Sequence, residues 1–360
     1  MTVRAWAPGR VNLIGDHTDH TGGLVLPMAI DLGTMVSGQR GGDAVELRSP
    51  IEREPAVVPL DVTDPASVSP GWARYVAGVV AELRPATGFV GVVATTLPVG
   101  AGLSSSAALE VAVALALGFE GSALELARLS QRAEQRASRV PCGIMDQLAS
   151  AAGVAGHALR IDCTSLVVQP VPLPDDLEVV VVDSGQRREL ATSAYAERAA
   201  ACQAAQAAIG PLREATVADI DVLPDEAIRR RARHVITENA RVDQLAEALI
   251  SGDRASMADA MAASHRSLRD DFEVSTAVLD DLVHRLTSID GVIGARLTGA
   301  GFGGCAVALV ERGTPLPGAF TAWRVTASAG AHLIDRPAEA HGGHHGVARG
   351  GWPGHGSDGR

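Results

Sequence analysis

Gly100-Ala101-Gly102-Leu103-Ser104-Ser105-Ser106 runs directly into Ala107-Ala108-Leu109-Glu110, a stretch of strong helix formers. Serines suit the start of a helix, where the first N–H groups lack intrahelical partners and the dipole is positive. Glycines let the backbone approach phosphates closely, so this segment can make an anion site without a lysine. A serine hydroxyl there can join Mg²⁺ beside those phosphates. An ordinary capped core helix would carry a similar pattern. Asp146, in Pro141-Cys142-Gly143-Ile144-Met145-Asp146-Gln147, is a carboxylate between apolar residues at the start of a predicted helix. The dipole favours its ionised form there, which can accept a proton from a substrate hydroxyl or simply serve the helix end. Residues 7–20 set Arg10, Asp16, His17, Asp19 and His20 around Val11-Asn12-Leu13-Ile14, with turns permitted at Gly9 and Gly15. A solvated loop needs no such apolar insertion. The pattern reads as a strand end that dips into the core and then turns polar groups into a cleft. Finally, Gly299, Gly301, Gly303 and Gly304 follow Arg296-Leu297-Thr298. That turn can face a phosphate, make a close domain contact or close a tight hairpin.

The elements that must position these groups are legible as periodic runs. Residues 34–37, 89–95, 157–162, 178–183, 295–298 and 305–310 read as strands. Residues 72–83, with Val76, Val79, Val80 and Leu83 at helical spacing, read as a helix, as do 104–117 and 124–136. Residues 193–285 are alanine-rich and mostly helical in pattern. Pro170, Pro172 and Pro174 suggest a hinge between two domains. Beyond residue 337 the chain turns to Gly, His and Pro without periodicity, which reads as a disordered tail. Its His341, His344, His345 and His355 are more simply a floppy tail than a metal site.

The whole chain narrows the possibilities further. Its 360 residues, 46% of them hydrophobic, suffice for two packed domains. A net charge of −11 argues against nucleic acid as a partner. All 31 basic residues are arginine, which excludes a Walker A lysine and a Schiff base. The four cysteines form no C-x-x-C pair, so zinc and redox motifs are not indicated. No signal core and no run long enough to span a bilayer is present, so a cytoplasmic protein with no membrane partner is expected.

Together, residues 9–19, 97–108 and 297–305 resemble the GHMP kinases, and within them the galactokinases. Trp72-Ala73-Arg74-Tyr75-Val76, residues 142–147, His234-Val235-Ile236-Thr237-Glu238-Asn239 and residues 264–271 match in the same order. The resemblance spans about residues 4–331. It implies an α+β, two-domain GHMP kinase fold with the active site in the interdomain cleft. The expected units are 1–170 (sugar signature and phosphate loop), 171–336 and the tail 337–360.

The implied reaction is ATP-dependent phosphorylation of the anomeric hydroxyl of α-D-galactose, with Mg²⁺, by an expected monomer. The resemblance assigns Asp146 as catalytic base with Arg10 as its partner. It assigns Asp16, His17, Asp19, the backbone of Gly143 and Tyr195 to the sugar. Trp72 and Val99 would line the adenine pocket, Gly100, Ala101, Gly102, Leu103, Ser104, Ser105 and Ser106 the phosphates, and Ser106 with Glu134 the metal. Arg187 is a further residue turned toward the site. The family usually has glutamate where Asp16 stands, tyrosine at His20 and glutamate at Asp31. A kinase for N-acetylgalactosamine, L-arabinose or galacturonate therefore stays open as an alternative, as does a non-catalytic galactose/ATP sensor.

Overall fold

The computed structural model describes residues 2–98, 100–187 and 191–334. Val99 and the tail assigned to residues 337–360 lie outside the described residues. The N-terminal half runs β1 (Val3–Asn12), β2 (Leu24–Val25), β3 (Pro27–Arg40), β4 (Ala44–Arg48), β5 (Ala56–Pro59), α1 (Ala73–Leu83), β6 (Phe89–Thr95), α2 (Ser105–Ala116), α3 (Ala123–Ser138), α4 (Met145–Ala152), β7 (His157–Asp162) and β8 (Val168–Pro172). The C-terminal half runs β9 (Leu177–Asp183), α5 (Ala191–Ile209), α6 (Glu226–Ser251), α7 (Arg254–Asp270), α8 (Ala277–Thr287), β10 (Val292–Thr298), β11 (Cys305–Glu311), β12 (Ala322–Val325) and β13 (His332–Leu333). This is the α+β architecture expected. The strands form a six-stranded sheet β13-β1-β3-β6-β4-β5, a four-stranded sheet β10-β11-β9-β12 and a three-stranded sheet β2-β7-β8. Pairing is antiparallel except between β4 and β6.

Local chemistry accounts for the element ends. α1 buries Val76, Val79 and Val80 and stops at Arg84, which is left-handed. α3 opens on a capping box between Ser122 and Glu125. The prolines suggested as a hinge are partly sheet: Pro170 and Pro172 pair with Leu159 and His157. They are tolerated because β8 is an edge strand, where a missing N–H costs no ladder bond. Among the described residues no helix is long and apolar enough to cross a membrane.

Two cores matter for the site. One packs the six-stranded sheet against α1–α4 through Val45, Leu47, Val76, Val80, Phe89 and Val111. The other joins Val11, Leu13 and Ile14 to Leu97 and Leu103, and to Val242 of α6 and Val307 and Leu309 of β11. Leu13 and Ile14 are fully buried, each worth about 1.5–3 kcal/mol of transfer free energy. The apolar insertion in residues 7–20 thus nails that segment between the two halves and turns its polar neighbours into the cleft.

Candidate active site

β1 delivers Arg10 with a register shift between Pro8 and Arg10. The Arg10 N–H donates to the Leu103 carbonyl at 3.2 Å, tying the strand to the glycine-serine loop. Gly9 permits that approach, since a Cβ there would lie 2.6 Å from the Leu103 oxygen. Arg10 then grips Asp146, in the first turn of α4, with both arms of its fork. Nε donates to Oδ1 and Nη2 to Oδ2, each at 2.7 Å, while Nη1 donates to the Gly102 carbonyl at 2.7 Å. Ser104 Oγ donates to Asp146 Oδ2 at 2.5 Å. Ser104 therefore stands at the start of α2 without capping it. Its φ of +58° aims the hydroxyl at Asp146 and leaves the helix amides open.

Two cavities meet at this pair. The smaller, about 200 Å³, is lined by Arg10, Asp146, Asp16, His17, Asp19, Glu134, Cys142, Gly143 and Tyr195. The larger, about 680 Å³, is lined by Arg10, Asp146, Gly100, Gly102, Ser104, Ser105, Ser106, Gln186 and Arg187. Gly299 and Ala300 border both. A third space of about 250 Å³ lies between Trp72, Tyr75, Leu97 and Leu109 and shares Ser105 and Ser106 with the larger cavity. Trp72 is fixed there by donation from Nε1 to the Glu54 carbonyl at 3.1 Å.

The smaller cavity has distinct walls. Asp19 packs so tightly on Gly143 that a Cβ at 143 would sit 1.8 Å from Asp19 Oδ2. His17 takes a left-handed φ of 65°, and its ring lies 4.6 Å from Phe272 and 5.7 Å from Tyr195 between centroids. Burial holds its pKa well below the usual value, so the imidazole is neutral. One nitrogen bonds the Ala300 carbonyl and Nε2 has no partner. Burial likewise raises the Tyr195 phenol, which stays protonated. Asp16 is raised by burial and pulled back by Arg296, whose Nη2 lies 2.6 Å from Oδ2. The Gly299 N–H donates to Asp16 Oδ1 at 2.8 Å.

On the other side of Asp146, Ser106 Oγ donates to Glu134 Oε1 at 2.8 Å and Gln147 Nε2 to Oε2 at 2.5 Å. Burial and the Asp146 charge raise Glu134 to about 7. Ser106, in the lining of the larger cavity, and Glu134, in that of the smaller, thus pair hard oxygens where the two spaces adjoin, a donor set suited to Mg²⁺.

Most residues singled out by the sequence converge here. Two do not reach a cavity: Ala101 and Leu103 are buried in the core that joins the halves, where they anchor the loop. Three contributors were missed. Gln147 follows Asp146 and carried no signal of its own. Gly299 and Ala300 lay in the flagged glycine turn. That turn is both a β10–β11 hairpin and a contact with the N-terminal half through Gly299 and Asp16, with positive φ at Gly299, Gly301, Phe302, Gly303 and Gly304.

Residues 2–40 match the galactokinase galactose-binding signature, 74–154 the GHMP kinases N terminal domain and 245–324 the GHMP kinases C terminal. The chain is 44% identical to the galactokinase of Homo sapiens over 85% of its length and 83% of that protein. It is 45% identical to that of Roseiflexus sp. (strain RS-1), covering 85% and 83%. The crystal structure of Lactococcus lactis galactokinase complexed with galactose superposes with a TM-score of 0.85 at 31% identity, covering 92% of this chain and 95% of that one. A mevalonate kinase structure at 18% identity and TM-score 0.66 shares the fold.

Proposed function

The chain belongs to the galactokinase family of GHMP kinases, and from that premise we propose that it transfers the γ-phosphoryl group of ATP to the anomeric hydroxyl of α-D-galactose, giving galactose 1-phosphate and ADP. The observation that carries this reading is the Arg10–Asp146 pair at the junction of the two cavities. Galactose occupies the smaller cavity and the ATP phosphates the larger, so the accepting hydroxyl and the γ-phosphorus meet beside Asp146.

Each residue has a defined task. Asp146 Oδ1 accepts one hydrogen bond from Arg10, Oδ2 one from Arg10 and one from Ser104, which leaves one lone pair, on Oδ1, for a substrate hydroxyl. Asp146 orients the sugar hydroxyl and takes its proton as the phosphoryl group leaves ADP. Arg10, always charged, keeps Asp146 ionised and offsets the charge on the transferring phosphoryl group. Asp16, Asp19, neutral His17 and Tyr195 hold the other sugar hydroxyls, and the Gly143 backbone keeps Asp19 close. The open amides of residues 100–106 cradle the phosphates. Trp72, Tyr75, Leu97 and Leu109 receive the adenine ring, and Arg187 faces the phosphates.

Ser106 and Glu134 would hold Mg²⁺, which neutralises phosphate charge when bound. On this reading the chain divides into units 1–170 and 171–336 around the cleft. The test is ADP release from ATP with D-galactose as sole acceptor, with the product identified by ³¹P and ¹H NMR. Galactose-dependent ADP and an α-linked 1-phosphate are expected. ADP release that ignores the sugar, or a phosphate on another carbon, contradicts the assignment.

A further inference from the structure

Arg296 has no exposed surface, and its head group reaches across from β10 to the segment after β1. Nη1 donates to the Leu13 carbonyl at 3.0 Å, and Nη2 lies 2.6 Å from Asp16 Oδ2. Three residues further on, the Gly299 N–H takes Asp16 Oδ1 at 2.8 Å. Both oxygens of a cavity-lining carboxylate are therefore gripped from one strand end of the C-terminal half. We propose that Arg296 is a positioning residue for the sugar: it fixes Asp16 as an ionised acceptor in the wall of the galactose cavity and so sets which sugar hydroxyl is demanded there. This rests on the reading that the smaller cavity takes galactose.

Three observations favour this role over a purely structural one. First, the other carboxylate near Arg296 does not need it. Glu238 Oε1 is 3.8 Å away and already accepts from the Gly15 N–H at 3.1 Å and Ser264 Oγ at 2.5 Å, while Arg241 Nε donates to Oε2 at 2.7 Å. Second, the strand does not need the guanidinium for its placement. Thr298 Oγ1 donates to the Asn12 carbonyl at 2.8 Å, and β10 pairs with β11 without a break from Gly294 to Thr298. Third, Asp16 does need a cation. It is a buried carboxylate with Glu238 nearby, and burial alone drives it toward the neutral acid. A neutral acid carries an O–H and reverses the hydrogen-bond polarity presented to a sugar hydroxyl. With Arg296 in place, the Gly299 N–H takes one lone pair of Oδ1, Oδ2 is buried against the guanidinium as an ion pair, and Asp16 borders the cavity as a carboxylate.

The test compares kcat/KM for galactose with kcat/KM for its 2-, 3-, 4- and 6-deoxy analogues in wild type, Asp16→Ala, Arg296→Met and Arg296→Lys. Each comparison is a ratio within one variant, so a reduced folded fraction cancels. Asp16→Ala identifies the hydroxyl that Asp16 reads, as the one whose deletion no longer carries a penalty. Arg296→Met is expected to lower discrimination at that same hydroxyl by about tenfold or more, the weight of a hydrogen bond to a charged group, while ratios at the other positions hold. Arg296→Lys restores part of it. Unchanged discrimination in Arg296→Met, equal loss at every hydroxyl, or an Asp16→Ala enzyme that discriminates like wild type would each overturn the proposal. A wild-type enzyme without galactose-dependent turnover would instead overturn the galactokinase reading, before any variant is compared.

Discussion

At the scale of single residues, the site is built from close approaches that tolerate no added atom. Gly143 is the clearest. Asp19 occupies the space a side chain would need, so Gly143→Ala must push the Asp19 carboxylate out of its place in the smaller cavity. The expected result is a rise in KM for galactose of about tenfold or more, with the KM for ATP nearly unchanged. An unaltered galactose KM would show that Asp19 does not hold the sugar. The same residues show what a sequence can reveal. Arg10, Asp16, His17 and Asp19 stood out because charged groups surrounded an apolar insertion, and the burial of Leu13 and Ile14 explains that insertion. Arg296 and Gln147 did not stand out as site residues. Their roles depend on contacts 283 and 13 residues away in the chain, with Leu13 and Glu134, which no local pattern encodes.

At the scale of elements, strongly periodic segments were read nearly to the residue. α1, α2, β7 and β11 begin and end within one residue of the expected 72–83, 104–117, 157–162 and 305–310. The strand read at 34–37 is the middle of a 14-residue strand, β3. The short strands β4, β5, β8 and β12 were not seen, because runs of four or five residues with polar or proline positions carry too little alternation. The glycine turn between β10 and β11 is the element on which the halves most visibly depend. Gly301 has φ +77°, and a Cβ there would lie 2.4 Å from the Val274 carbonyl oxygen. Gly301→Ala is therefore expected to destabilise the protein by about 1–3 kcal/mol and to weaken galactose binding by disturbing Gly299 and Asp16. Thermal unfolding with and without galactose checks both effects. A wild-type Tm with full galactose stabilisation would count against the turn's positioning role.

At the scale of the whole molecule, two halves share a core through residues 11–14 and enclose charged groups between them. His20 illustrates the consequence. Burial opposes its charge, but Asp19, with Oδ1 3.5 Å from Nδ1, and Cys202 outweigh that and raise its pKa from 6.5 to about 9. Because the folded value is the higher one, its stabilising contribution is complete below pH 6.5 and lost as pH rises through about 9. Relative to a His20→Gln variant, wild type should lose up to about 3 kcal/mol across that window in denaturant titrations. Parallel stability curves would contradict a charged His20. The claim on which the rest depends is that the two cavities exchange a phosphoryl group at Asp146. The most direct measurement is kcat for Asp146→Asn beside its galactose affinity by calorimetry, because the amide keeps the shape and loses the proton acceptor. A fall in kcat of about 10²–10⁴-fold, with galactose affinity within a few-fold of wild type, is the predicted result. A kcat within a few-fold of wild type would contradict the account.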